Sequence, residues 1–267
     1  MDEWDVCATN LHRASQRRYE VAVLPTAAVE AHNRHLPEGQ DVLHTTHIAR
    51  RCCAEAWPRC ESVLCLPTIP YGVDCNLLAY PVTIHVSQAT LDAVVKDIIV
   101  SLGRHGIRKI VLLNGHGGND FAPLIRQVQC DLDVFVFWCN WWTVGSDRYG
   151  EIFDRPDDHA GQMETSVALA LFPERVELEA AGDGRPRPFG LEALRRGWVR
   201  TSRYFGALNA NCACGDPTGA SAERGRRYID LVCQRITDFL VDLATCPIDG
   251  TFPLAPTGAD DSGGPDD

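Results

Sequence analysis

The stretch Lys109-Ile110-Val111-Leu112-Leu113-Asn114-Gly115-His116-Gly117-Gly118-Asn119 decides how this chain is read. It delivers a short apolar run straight into a polar, glycine-rich turn that carries a histidine. Upstream, Leu91, Val94, Val95, Ile98, Ile99 and Leu102 recur at intervals of three and four, the spacing of a helix with one apolar face. Thr90 can cap that helix, and Gly103 and Gly106 close it. A helix feeding an apolar strand that empties into a loop is a repeating unit of a parallel α/β sheet, and such crossovers are right-handed.

The same alternation extends in both directions. Val21 to Pro25 and Val63 to Leu66 read as buried strands. Between them, a helix opening at Asp41 carries Ile48, Ala49, Cys52 and Ala56 on one face and should end at Pro58. Downstream, a helix over roughly residues 120–130, a strand at Val134 to Trp138 and a helix from Gln162 through Leu171 complete an α/β core. Residues 174–220 are rich in Gly, Pro and Arg and carry no clear period, whereas Arg226 to Ala244 is again helical in pattern. One α/β domain over residues 1–256 is expected, followed by a disordered acidic tail over 257–267.

Composition narrows the function classes. A net charge of -11 argues against nucleic acid and anionic membrane, both of which need clustered Lys and Arg. The one basic group, Arg195, Arg196, Arg200 and Arg203, reads as a solvated or oligomer-contacting face. No apolar run approaches the ~18 residues of a membrane span, and the acidic N-terminus lacks the pattern of a secretory signal. A cytoplasmic location follows as an expectation, with the twelve cysteines reduced and Cys212-Ala213-Cys214 read as loop packing.

Ligands of open α/β sheets bind beyond the carboxyl ends of the strands. Three polar clusters fall at such exits: Glu30 to Pro37, Asn114 to Asn119, and Asp158 to Ser166. Glu30 and His32 are two apart, so in an extended segment both face one side. Asp41 has two oxygens, enough to touch two ions, although it could serve only as a helix cap. His159 and Glu164 are five apart, which on a helix would separate them by about 140°. His159 must therefore precede the helix if both face the site.

Glu30, His32, Asp41, His116 and Glu164 make two histidines and three carboxylates. A single catalytic zinc uses about three protein ligands, so this set suits two divalent ions. Such a pair would hold a bridging hydroxide and polarise a carbonyl, leaving His159 free to move protons. His35 reads as a partner of the ligands. His44, His47, His12, His85 and His105 read as structural, and Trp138, Trp141 and Trp142 as core packing or pocket wall.

These residues resemble the creatininase family of metal-dependent amidohydrolases. The similar stretches are Leu24-Pro25 to Asp41, Tyr71-Gly72 to Ile84, Asn114 to Asn119, and His159-Ala160-Gly161 with Glu164-Thr165-Ser166, in the family's order. The resemblance implies a three-layer α/β/α sandwich with a mostly parallel sheet, a homohexamer, and a binuclear zinc, manganese or iron centre. Glu30 and His116 would hold one ion, His32 the other, and Asp41 would bridge. His159 matches the family's catalytic histidine. Creatininase itself has a glutamate ligand where this chain has Gly118, so Glu164 is the expected replacement, with a catalytic share as well. Other members include deformylases, a peptidase and a cyclitol-ketone hydrolase. Val82 stands where the family usually has Gly, in a loop expected to line the substrate pocket. The expected reaction is hydrolysis of an amide or cyclic amide C–N bond in a small molecule. The alternatives are ring opening of a cyclic ketone by C–C hydrolysis, or a non-catalytic metal-binding scaffold.

Overall fold

The structure is a computed structural model that describes residues 2–255, so the expected acidic tail lies outside the described residues. Its centre is a parallel sheet. Strands β1 (Val21–Thr26), β2 (Val63–Cys65), β3 (Lys109–Asn114) and β4 (Phe135–Asn140) lie in the order β2-β1-β3-β4. β1 and β3 pair over their whole length, from Val21 with Lys109 to Thr26 with Asn114. Every residue of both strands is buried, as expected for central parallel strands covered on both faces.

Five long helices provide the cover: α1 (Gln40–Cys60), α2 (Gln88–Arg104), α3 (Ala122–Asp131), α4 (Gln162–Leu171) and α5 (Ala222–Thr245). Side chains alternate along the strands, so one face of the sheet sends Val21, Val23, Val111 and Leu113 into a core shared with α1, α4 and α5. The opposite face sends Ala22, Leu24, Ile110 and Leu112 against α2 and α3. The result is the expected three-layer α/β/α sandwich. The short strands β5 (Asp157–His159) and β6 (Cys214–Gly215) pair antiparallel beside it. No described helix is long and apolar enough to cross a membrane.

The strand order explains where a site can form. From β1 the chain moves through α1 to β2 on one side, and from β3 it moves through α3 to β4 on the other. The loops leaving β1 and β3 therefore part at the carboxyl edge, which opens a crevice at this switch point.

Several boundaries differ from the sequence expectation. α2 begins at Gln88, because the Ser87 hydroxyl accepts the Thr90 N–H at 3.2 Å and provides the cap. Val94 on that helix is 45% exposed and does not join the core. Pro58 does not end α1, which continues to Cys60 and closes on Glu61 in the left-handed region at φ 48°. A proline in the last turn forfeits a single helical hydrogen bond, a loss that the buried face of Ile48, Ala49, Cys52 and Ala56 outweighs. β4 starts at Phe135 and runs to Asn140, and α5 starts at Ala222 behind a Ser221 cap.

Candidate metal centre

The five ligand candidates reach the crevice from four places in the chain. Glu30 and His32 follow β1, Asp41 lies in the first turn of α1, His116 follows β3, and Glu164 lies in the first turn of α4. Asp41 is not the helix cap that its position allowed. Gly39 occupies that place, and the Asp41 carboxylate turns inward instead. Its Oδ1 lies 3.1 Å from His32 Nε2 and its Oδ2 lies 3.2 Å from His116 Nδ1. Glu30 Oε1 lies 2.9 Å from the same His116 nitrogen and 3.9 Å from His32 Nε2. Glu164 clusters with His32 and Asp41.

The imidazoles are all held from behind. His32 Nδ1 is 3.0 Å from the Glu30 carbonyl, His159 Nε2 is 2.8 Å from the Ala31 carbonyl, and His116 Nε2 is 3.3 Å from the Val73 carbonyl. A carbonyl only accepts, so each rear nitrogen donates, which leaves the front nitrogen as the one that could offer a lone pair to a cation. The front nitrogens His32 Nε2 and His116 Nδ1 are buried and have no hydrogen-bond partner.

The electrostatics point to cations. Among the described residues, no Lys or Arg pairs with Glu30, Asp41, Asp74 or Glu164. Burial opposes a charge on His32, yet Asp41, Glu164 and Glu30 push its pKa up to about 10. Burial likewise opposes a charge on His116, yet Glu30, Asp41 and Asp74 hold its pKa well above the ordinary value. Glu30 and Glu164 are raised by burial, and Asp41 is held low, against its burial, by His32 and His116. A pocket in which carboxylates raise the histidines, and burial raises two of the carboxylates, is short of positive charge. Two divalent ions would balance four carboxylates, and the orphaned nitrogens lie where ligands to such ions belong.

His159 does not share this behaviour. Burial lowers its pKa to about 3, so it is neutral at pH 7. Its ring stacks on His32 with centroids 4.4 Å apart, and Nδ1 lies 3.9 Å from Glu30 Oε1. It precedes α4, as its spacing from Glu164 required, but in the short strand β5 and not in a loop. Cys212, expected only to pack a loop, places its sulfur 4.0 Å behind His159 Nε2.

Around these residues lies a cavity of about 560 Å³, walled in part by Leu77, Trp142, Arg203 and Phe205. Such a volume suits a small molecule. Val73, Cys75, Asn76 and Leu77 reach it, whereas Val82 is 67% exposed, off its wall, with φ at 65°. Trp142 lines the cavity, Trp141 packs edge-on to His44, and Trp138 packs on Phe121. His35 reaches no candidate ligand directly; it bonds Thr165 Oγ1 at 2.8 Å, beside Glu164. Arg203 leaves the exposed basic face to which the sequence assigned it and forms an ion pair with Asp158.

Sequence reasoning missed Asp74 and Asp157. Asp157 accepts backbone N–H bonds from Gly161, Met163 and Glu164 and so fixes the start of α4. Its only sequence signal was its place before Asp158, where strand alternation turns one inward and the other out. Asp74 is fully buried beside His116, in a loop without period.

The family model described as creatinine amidohydrolase matches residues 6–240. This chain belongs to the creatininase family. A mycofactocin precursor peptide peptidase from Mycobacterium tuberculosis is 34% identical over 220 residues, 77% of this chain and 78% of its own. A 3-dehydro-scyllo-inosose hydrolase from Thermotoga maritima is 25% identical, over 66% of this chain and 58% of its own. A solved protein from Bacteroides fragilis assigned as a creatinine amidohydrolase superposes with a TM-score of 0.86 at 32% identity, covering 93% of this chain and 99% of its own. Solved creatininases at 25% identity include a Zn-Zn type, with a TM-score of 0.70 over 92% of this chain and all of its own, and an Mn form, 0.71 over 91% and 99%.

Gly118 bears on how this member differs. A Cβ there would lie 2.3 Å from the Val73 carbonyl oxygen and 2.4 Å from His116 Nε2. The glutamate that the creatininase pattern places at this position has no room in this backbone, and Glu164 approaches Asp41 and His32 from α4 instead.

Proposed function

We propose that this chain is a metal-dependent hydrolase that cleaves an amide or cyclic amide C–N bond in a small molecule. The observation that carries the reading is the Asp41 carboxylate, which divides its oxygens between two orphaned histidine nitrogens on separate loops. Glu30 and His116 would hold one ion, His32 and Glu164 the other, and Asp41 would contribute to both. When bound, divalent ions supply Lewis acidity, lowering the pKa of a water towards neutrality and polarising a carbonyl. Zinc is the first expectation, with manganese or iron as alternatives.

The protein's own part is positioning and proton transfer. The rear hydrogen bonds hold His32 and His116 in the tautomers that present a lone pair. His159, neutral and anchored through Nε2 on Ala31, presents Nδ1 to take a proton and return it to the leaving nitrogen. Glu164 would serve the reaction as well, through the ion that it would help to hold. The chain is read as a homo-oligomer, hexameric by family resemblance, with residues 1–256 as one domain.

The test is metal content and turnover on a panel of amides and cyclic amides, for wild type and Asp41→Ala. Wild type should hold two ions per chain and release or expose an amine, whereas Asp41→Ala should lose both bound metal and turnover. Full activity in metal-stripped protein would refute the reading. A new carboxylate without an amine would select the second reaction, C–C ring opening of a cyclic ketone, as the inosose hydrolase relative suggests.

A further inference from the structure

Asp74 is the least explained charge in the molecule. Its side chain is wholly inaccessible, and neither carboxylate oxygen has a hydrogen-bond partner. Burying a carboxylate with only the edge of one imidazole beside it costs free energy, so its retention calls for a use. Oδ1 lies 2.9 Å from His116 Nε2, the nitrogen on the opposite side of the ring from Glu30 and Asp41. The N–H points instead at the Val73 carbonyl, 3.3 Å away, the longest of the three bonds that hold imidazoles from behind.

The surroundings are built to keep the two together. The Asp74 N–H donates to His85 Nδ1 at 3.0 Å, and the Val73 N–H donates to Asn119 Oδ1 at 3.1 Å, which pins this loop to the one carrying His116. Two glycines flank the ring. A Cβ on Gly72 would come within 3.0 Å of His116 Cδ2, and one on Gly118 within 2.4 Å of its Nε2. The ring is therefore confined in its plane, with a carboxylate at its rear edge.

We propose that Asp74 is a positioning residue. It holds the proton on His116 Nε2, keeps the Nδ1 lone pair directed at the metal centre, and makes that nitrogen a stronger donor. This rests on the metal centre proposed above and goes beyond it. A carboxylate is a better acceptor than the distant carbonyl, and partners on the far nitrogen of a metal-bound imidazole raise its basicity. Asp74 itself does not take up metal.

The experiment is zinc titration of the metal-free full chain against a chromophoric chelator, for wild type, Asp74→Asn and Asp74→Ser, with thermal unfolding of the same metal-free proteins. Both variants should keep two zinc ions per chain and bind one of them about 10–100-fold more weakly. Asp74→Asn keeps the shape of the side chain, so its metal-free form should still unfold cooperatively while its zinc affinity falls; a purely structural residue would lower the melting temperature and leave the zinc affinity of the folded chain unchanged. Unchanged zinc affinity in both variants overturns the inference. Loss of one ion from the stoichiometry also overturns it and makes Asp74 a ligand. A wild-type chain that takes up no zinc fails the proposed function itself, and the inference with it.

Discussion

Gly225→Ala tests how tightly the helices behind the centre control it. Gly225 lies in the first turn of α5, where the helix crosses α4, and a Cβ there would lie 1.9 Å from Ser166 O, 2.4 Å from Ser166 C and 2.8 Å from Val167 N. All three are backbone atoms, so no side chain can rotate away. Restoring even a tight 3.0 Å contact requires the helices to part by roughly 1 Å, and cores resist such shifts because they are close-packed. Overpacking costs about 1–3 kcal/mol, and a backbone collision sits at the top of that range. Alanine in place of glycine returns about 1 kcal/mol of helix propensity. The net loss is about 2 kcal/mol, or roughly 4–8 °C in melting temperature at this chain length. α4 carries Glu164, so zinc affinity should fall together with stability. The assay is thermal unfolding and zinc titration of the metal-free protein, with Gly150→Ala, whose added Cβ meets nothing within 4 Å, as control. Unfolding of Gly225→Ala within 1 °C of the control would refute the reasoning.

Two further outcomes follow from the same geometry. Gly118→Glu, which restores the residue of the creatininase pattern, should weaken zinc binding, because its Cβ displaces His116 or the Val73 carbonyl; tighter binding measured by chelator competition would contradict this. His44 packs against Trp141 and Phe172, and burial lowers its pKa to about 3. The folded chain thus binds fewer protons there than the unfolded chain, so stability should fall as pH drops from about 6.5 towards 3. His44→Phe should reduce that slope by about one proton in urea unfolding of metal-free protein across this range, and an unaltered slope would remove His44 as a source.

The origin of the fold's legibility is local. Burial of a strand on two faces and of a helix on one leaves periods of their own, and Val21 to Pro25, Lys109 to Leu113 and Leu91 to Leu102 carry them plainly. Boundaries were less legible, since Thr90 could have capped as well as Ser87, and the helical period that began at Arg226 did not reveal the turn behind the Ser221 cap. Among candidate site residues, Glu30, His32, Asp41, His116 and Glu164 could be collected because each stands at a strand exit or in a first helical turn, where composition changes abruptly. Asp74 and Arg203 could not, because loops have no period and the partners His116 and Asp158 lie 42 and 45 residues away in sequence.

Sequence alone thus determined the α/β class, the order of the elements and the supply of histidines and carboxylates at the carboxyl edge of the sheet. Only the tertiary structure decided which nitrogen each histidine presents and how Asp41 divides its oxygens. It also decided that Gly118, two residues after His116, where creatininase carries a glutamate, is closed to any side chain. The first set follows from the period of burial within one segment. The second depends on distances between loops from different strands, and these exist only once the sheet has brought β1 and β3 together.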